Sequence, residues 1–75
     1  MRLLIDVDGE KHWCAGNIVK ALKELLEIAK NKSSVRLLTI FYDNIKEKRR
    51  FKRELRKAKG DLLQAARNYL NWYNI

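Results

Sequence analysis

Proline is absent from these 75 residues, glycine occurs three times and cysteine once. A lone Cys14 excludes an intrachain disulfide, so apolar packing must hold the fold, and one free thiol fits a reducing compartment. Gly9, Gly16 and Gly60 lie far apart, which excludes a glycine-rich phosphate cradle and leaves them as breaks between elements. No apolar run approaches the ~20 residues of a membrane helix. Leu3-Leu4-Ile5 before Asp6 is too short for the apolar centre of a secretory signal. A soluble, cytoplasmic protein without a membrane partner is therefore expected. Carboxylates are scarce as well: 9 Asp and Glu stand against 17 Lys and Arg, a formal charge of +8. Such a balance points to anionic partners, nucleic acid first and an acidic protein surface second.

What is present fits one small domain, residues 1–75, near the lower size limit for a chain held by a single apolar core. Arg2 to Val7 is rich in Leu, Ile and Val, Asp8-Gly9 is a favoured hairpin turn, and Glu10 to Cys14 runs back. The turn predicts a register of Val7 with Glu10, Asp6 with Lys11, Ile5 with His12, Leu4 with Trp13 and Leu3 with Cys14. Asp6 then meets an opposite charge, and Leu4 meets a tryptophan on the same face. Ala15-Gly16-Asn17 interrupts the strand, and either Gly16 or Asn17 can cap the helix that follows. From Ile18 to Lys30 the apolar residues gather on one half of a helical wheel and Lys20, Lys23, Glu24, Glu27 and Lys30 on the other, as expected of a helix lying on a core.

Val35 to Tyr42 reads Val-Arg-Leu-Leu-Thr-Ile-Phe-Tyr, which predicts a third strand in the centre of the sheet. The four-apart spacing of Leu37, Phe41 and Ile45 makes helix the competing reading. Asp43 or Asn44 offers a cap, and Asn44 with Glu47 three residues later resembles a capping box, opening a helix that runs to Lys59 and stops at Gly60. Asp61 caps a last helix from Leu62 to about Tyr73, whose Tyr69, Trp72 and Tyr73 belong to its apolar half. The expected architecture is α+β: a small three-stranded sheet, made of the N-terminal hairpin plus one strand, with three helices in the order ββαβαα. Two open sheet edges leave a homodimer available.

The stretch "IKEKRRFKRELRKAK", Ile45 to Lys59, holds nine of the seventeen basic residues. On a helix, Phe51, Leu55 and Ala58 gather within about 60° and mark the docking stripe, while Lys46, Arg49, Arg50, Arg53, Arg56 and Lys57 share an outward arc of about 120°. Glu47 and Glu54 fall on one flank, between stripe and arc. A helix shaped for solubility alone would mix its signs. Segregated cations repel one another and are relieved by an anion, which nucleic acid supplies densely. No Asn or Gln lies in the arc to read adenine, so backbone binding is expected. Trp72, at the edge of its helix's apolar half, is the aromatic best placed for stacking or partner contact.

Asp6-Val7-Asp8-Gly9 at a strand end resembles the first motif of haloacid-dehalogenase-like phosphatases, and the later "YDN" loosely resembles metal-dependent ribonucleases of the PIN/NYN type. Both resemblances imply further carboxylates on later parallel strands, to hold divalent metal. Only Glu47, Glu54 and Asp61 follow Asp43, all on predicted helices or caps, so Asp8-Gly9 is read as a turn and no catalytic role is assigned to Asp6, Asp8 or Asp43. Glu10, His12 and Cys14 alternate onto one strand face but lack the fourth ligand and separate ligand pairs of a zinc site. Cys14 also lacks an orienting third group for nucleophilic catalysis. Leu55 to Leu70 resembles the first two helices of certain helix-turn-helix domains, without a recognition helix after them. No metal, cofactor or enzymatic activity is therefore expected. The leading reading is a noncatalytic nucleic-acid-binding protein. Its alternative is a small inhibitor or adaptor, of the kind viruses and mobile elements carry, that docks the basic helix on an acidic or nucleic-acid-accepting protein surface.

Overall fold

The computed structural model describes residues 1–73, and the chain folds as α+β in the order ββαβαα. Strands β1 (Arg2–Val7) and β2 (Glu10–Ala15) form the hairpin, followed by α1 (Ile18–Ala29), β3 (Val35–Phe41), α2 (Ile45–Lys57) and α3 (Leu62–Tyr73). Every expected hairpin pair is present, from Val7 opposite Glu10 to Leu3 opposite Cys14. The reason is local: Asp8 and Gly9 both adopt positive φ, at 50° and 92°, as a two-residue turn matched to strand twist demands.

The third strand differs from its expected place. The sheet order is β2-β1-β3, with both pairings antiparallel, so β1 is central and β3 lies at an edge. Its long apolar run does not reflect burial on both faces. The β1–β3 register shifts between Leu4 and Ile5, so that Leu4 lies opposite Thr39 while Ile5 lies opposite Leu37. That bulge places Leu38 in excess of the alternation, and Leu38 and Phe41 are both exposed.

One face of the sheet is covered. Leu3, Ile5 and Val7 from β1 and Cys14 from β2 are buried with Ile18, Ala21, Leu22 and Leu25 of α1, Phe51 of α2, and Leu62, Ala65, Ala66, Tyr69 and Leu70 of α3. The helical periodicities meet here as expected for α1 and for most of α3. Caps fix where the helices begin: Asn17 Oδ1 accepts from the Lys20 amide at 2.9 Å, and Asp61 Oδ1 from the Gln64 amide at 3.1 Å.

Helix α2 stops two residues short of Lys59. Lys59 adopts a left-handed conformation, with φ 55°, its amide donates to Arg56 O, and Gly60, with φ 85°, donates to Leu55 O at 2.8 Å. This is a Schellman closure in which Lys59 takes the left-handed position and Gly60 follows it. The turn sends α3 back against α2, so the two helices lie side by side on the core.

Candidate nucleic-acid interface

Helix α2 is attached by a narrow stripe. Phe51 is fully buried, Leu55 and Ala58 are half-buried, and the Phe51 ring sits 6.5 Å from those of Tyr42 and Tyr69. All six expected contact residues, Lys46, Arg49, Arg50, Arg53, Arg56 and Lys57, are exposed. None of them makes an ion pair within 4.0 Å among the described residues. The macrodipole of α2 gives part of the pattern a structural purpose, since Arg56 and Lys57 complement the last turn and Glu47 the first. Arg49, Arg50 and Arg53, in the middle turns, gain little from it.

Where the carboxylates go explains why the ridge keeps its charge. Glu47 is turned inward: its Oε2 accepts from the Asp43 amide at 2.6 Å and lies 3.8 Å from the Met1 ammonium. Asn44 caps the helix by accepting from the Glu47 amide at 2.9 Å, so the expected capping box forms with Glu47 reaching one residue past the cap, to the Asp43 amide. Asp43 is held by the same ammonium at 2.7 Å. Glu47 is therefore buried in the base of α2, a deeper position than the flank expected for it. Glu54 does remain on the flank, half-buried, where it lines a cleft beside α3.

That cleft, about 140 Å³, is bounded by Arg50, Arg53, Glu54, Lys57, Tyr69 and Trp72. The Arg50 guanidinium carbon stands 4.2 Å above the Trp72 ring, a cation–π stack on the outside of the molecule. Trp72 is 53% exposed, so it does not complete the core; Tyr73, expected on the apolar half of α3, is exposed too. Only Tyr69 of the three aromatics is buried. Burial pushes its phenol above the usual range, and Arg50 beside the hydroxyl pulls it part of the way back. The aromatic series Phe51, Tyr69, Trp72 thus leads from core to surface and ends beneath a cation.

Two cations were missed by the expected arc. Lys48 and Lys52 line a shallow groove with Ile45, Arg49, Arg53 and Arg56 on the outward side of α2. Their wheel positions lie on the flank opposite Glu47 and Glu54. Because α3 packs against α2 on the glutamate side, no described element covers the lysine side, and both lysines face solvent. The signal was present in the sequence as an apolar stripe too narrow to fill half a wheel.

The remaining chemically competent side chains hold the backbone. Asp6 Oδ1 accepts from the Gly9 amide at 2.9 Å, and its Oδ2 lies 3.7 Å from Arg36. Asp8 accepts from Ser34 at 2.8 Å and from Ser33 at 3.4 Å, tying the hairpin tip to the turn before β3. Antiparallel pairing puts Asp43 past the other end of β3, beyond Phe41 opposite Arg2. Asp6 and Asp8 are therefore separated from Asp43 by the length of the sheet. His12 and Glu10 approach to 3.6 Å at the edge of the core face, and Cys14 is buried beneath it. Burial, with the Glu24 charge adding to it, pushes the Cys14 thiol up to about 11, far from the thiolate needed for nucleophilic attack. Among the described residues, no group of three His, Cys, Asp or Glu side chains is placed to hold a metal ion. No described helix is long and apolar enough to cross a membrane. No protein-family model, curated protein or solved structure matches this chain.

Proposed function

We propose that this protein binds nucleic acid without catalysis, gripping the phosphate backbone with Lys46, Arg49, Arg50, Arg53, Arg56 and Lys57 and using Trp72 as a flanking contact. The observation that carries the reading is the separation of charge on α2, whose cations lie in solvent while the carboxylate of Glu47 is folded into the helix base. Thirteen residues make α2 about 20 Å long, and duplex DNA presents a charge every ~1.7 Å, so four to six phosphates lie within reach of one face. Four of the six side chains are arginine, whose planar fork suits phosphate oxygens.

Polarisation of a labelled duplex of arbitrary sequence at low salt tests the proposal. Micromolar or tighter binding, insensitive to base sequence, is expected; no binding at low salt removes the reading.

A second reading rests on the Arg50–Trp72 stack, since arginine and tryptophan are the residues most often found as anchors of protein interfaces. In it the basic helix docks on an acidic or nucleic-acid-accepting protein surface. Pull-down with and without nuclease separates the two, because a directly bound protein survives digestion and a nucleic-acid tether does not.

A further inference from the structure

Among the described residues, no element covers the face of the sheet turned away from the helices. That face presents Arg2, Leu4 and Asp6 from β1, Lys11 and Trp13 from β2, and Arg36, Thr39 and Phe41 from β3, because these alternate with the buried Leu3, Ile5 and Val7 and with their partners, while the unpaired Leu38 of the bulge is exposed beside them. An antiparallel sheet with one solvated face ordinarily places polar residues there. Here the two outer strands each expose an aromatic ring among the polar residues, with Trp13 at 51% and Phe41 at 50%. The Arg2 guanidinium carbon lies between them, 5.6 Å from the Trp13 centroid and 5.1 Å from the Phe41 centroid. The rings are thus within about 11 Å of one another, both oriented so that a planar cation already rests on them.

The charge of this face matches the partner proposed for α2. Arg2, Lys11 and Arg36 are cationic, and the one carboxylate of its strand residues, Asp6, is paired with Arg36. Phe41 also leads directly into α2: it lies four positions before Ile45, whose side chain borders the groove of Arg49, Lys48 and Lys52, and four positions span at most about 14 Å.

We infer that this open sheet face is a stacking platform for unpaired bases of a single-stranded nucleic acid, with Trp13 and Phe41 as the stacking rings and Arg2 and Lys11 meeting the adjoining phosphates. The inference rests on the nucleic-acid reading of α2 and adds its substrate class. Every base offers a π-face, so aromatic rings beside cations hold a single strand with little regard to sequence. A base pair inside a duplex keeps its faces stacked on its neighbours and cannot use them. The platform therefore gives single strands a contact that duplexes lack, while the ridge of α2 serves both.

Trp72→Phe leaves Trp13 as the sole tryptophan and keeps an aromatic ring under Arg50, so its fluorescence reports on the sheet face. This variant is titrated with a thymidine oligonucleotide and with a blunt duplex of equal length, each labelled to report binding independently. Quenching of Trp13 by the single strand and not by the duplex is the expected result. In the otherwise unaltered protein, Trp13→Ala with Phe41→Ala should lower affinity for the single strand about tenfold more than affinity for the duplex, and both residues are exposed enough for the fold to survive. Both oligonucleotides binding with no quenching of Trp13 overturns the platform and leaves the α2 reading standing. Neither oligonucleotide binding overturns both. A dimer in solution that the double substitution dissolves, with single-strand affinity unchanged, makes the face a subunit interface and overturns the platform as well.

Discussion

The aspartates of the hairpin turn and the cations of α2 are treated in opposite ways by this fold. At the hairpin turn the two aspartates are bound to backbone: Asp6 to the Gly9 amide, Asp8 to the amides of Ser33 and Ser34. The thiol of Cys14 is buried beneath the same strands. On α2 the reverse holds. Glu47 alone is folded inward, and the cations are left in water without partners within ion-pair distance among the described residues. Groups that a fold needs are those it satisfies internally. By that criterion the acidic motif serves the fold, and the basic ridge is available to something outside it.

The comparison breaks first at Phe51, since α2 has no other fully buried apolar side chain. Phe51→Ala should destabilise the protein by about 3–5 kcal/mol in urea or thermal unfolding, and the ridge should lose its anion affinity together with its platform. The next largest effect belongs to Asp8→Ala, which removes two acceptor contacts that join the hairpin to the turn before β3. A loss of about 1–2 kcal/mol is expected, with nucleic-acid binding retained once folded. An equal loss of binding would give Asp8 a role beyond the turn.

Alkali sharpens the contrast from the buried side. The Cys14 thiol titrates near 9.0 when unfolded and is pushed up to about 11 in the fold, so its contribution to stability is whole below pH 9 and is lost as pH rises from 9 toward 11. Cys14→Ala should flatten that part of the stability–pH curve, read by urea unfolding at each pH, whatever its cost near neutrality. The smallest effect should come from the ridge. Arg49→Ala with Arg53→Ala and Arg56→Ala is expected to change unfolding free energy by no more than about 0.5 kcal/mol, because none of the three makes an ion pair among the described residues and the relief of mutual repulsion offsets the loss of Arg56 from the last turn of α2.

Much of this was legible in the chain. The hairpin register followed from Asp8-Gly9 alone, since a two-residue turn leaves only one pairing. The caps at Asn17, Asn44 and Asp61 were readable to within one residue because a side-chain oxygen acting on an amide three residues away is a local event. What could not be read depended on partners distant in sequence. The place of β3 at the sheet edge was hidden because an apolar run looks alike whether two faces are buried or one face carries exposed Leu38 and Phe41. The burial of Glu47 follows from the Met1 ammonium and the Asp43 amide meeting at the base of α2. Trp13 and Phe41 lie 28 positions apart and come to one face only because β1 separates their strands, with Arg2 between them. The α2 ridge, by contrast, needed only the 3.6-residue period, and its narrow docking stripe also implied that Lys48 and Lys52 would stand clear.

The central claim is that the cations of α2 meet phosphates directly, and the salt dependence of binding to duplex DNA measures it. Five contacts predict a log–log slope of about −4 to −5, and the triple arginine substitution should bring it to about −2 by removing three of them. A slope near zero, or one unmoved by the three substitutions, would contradict the account.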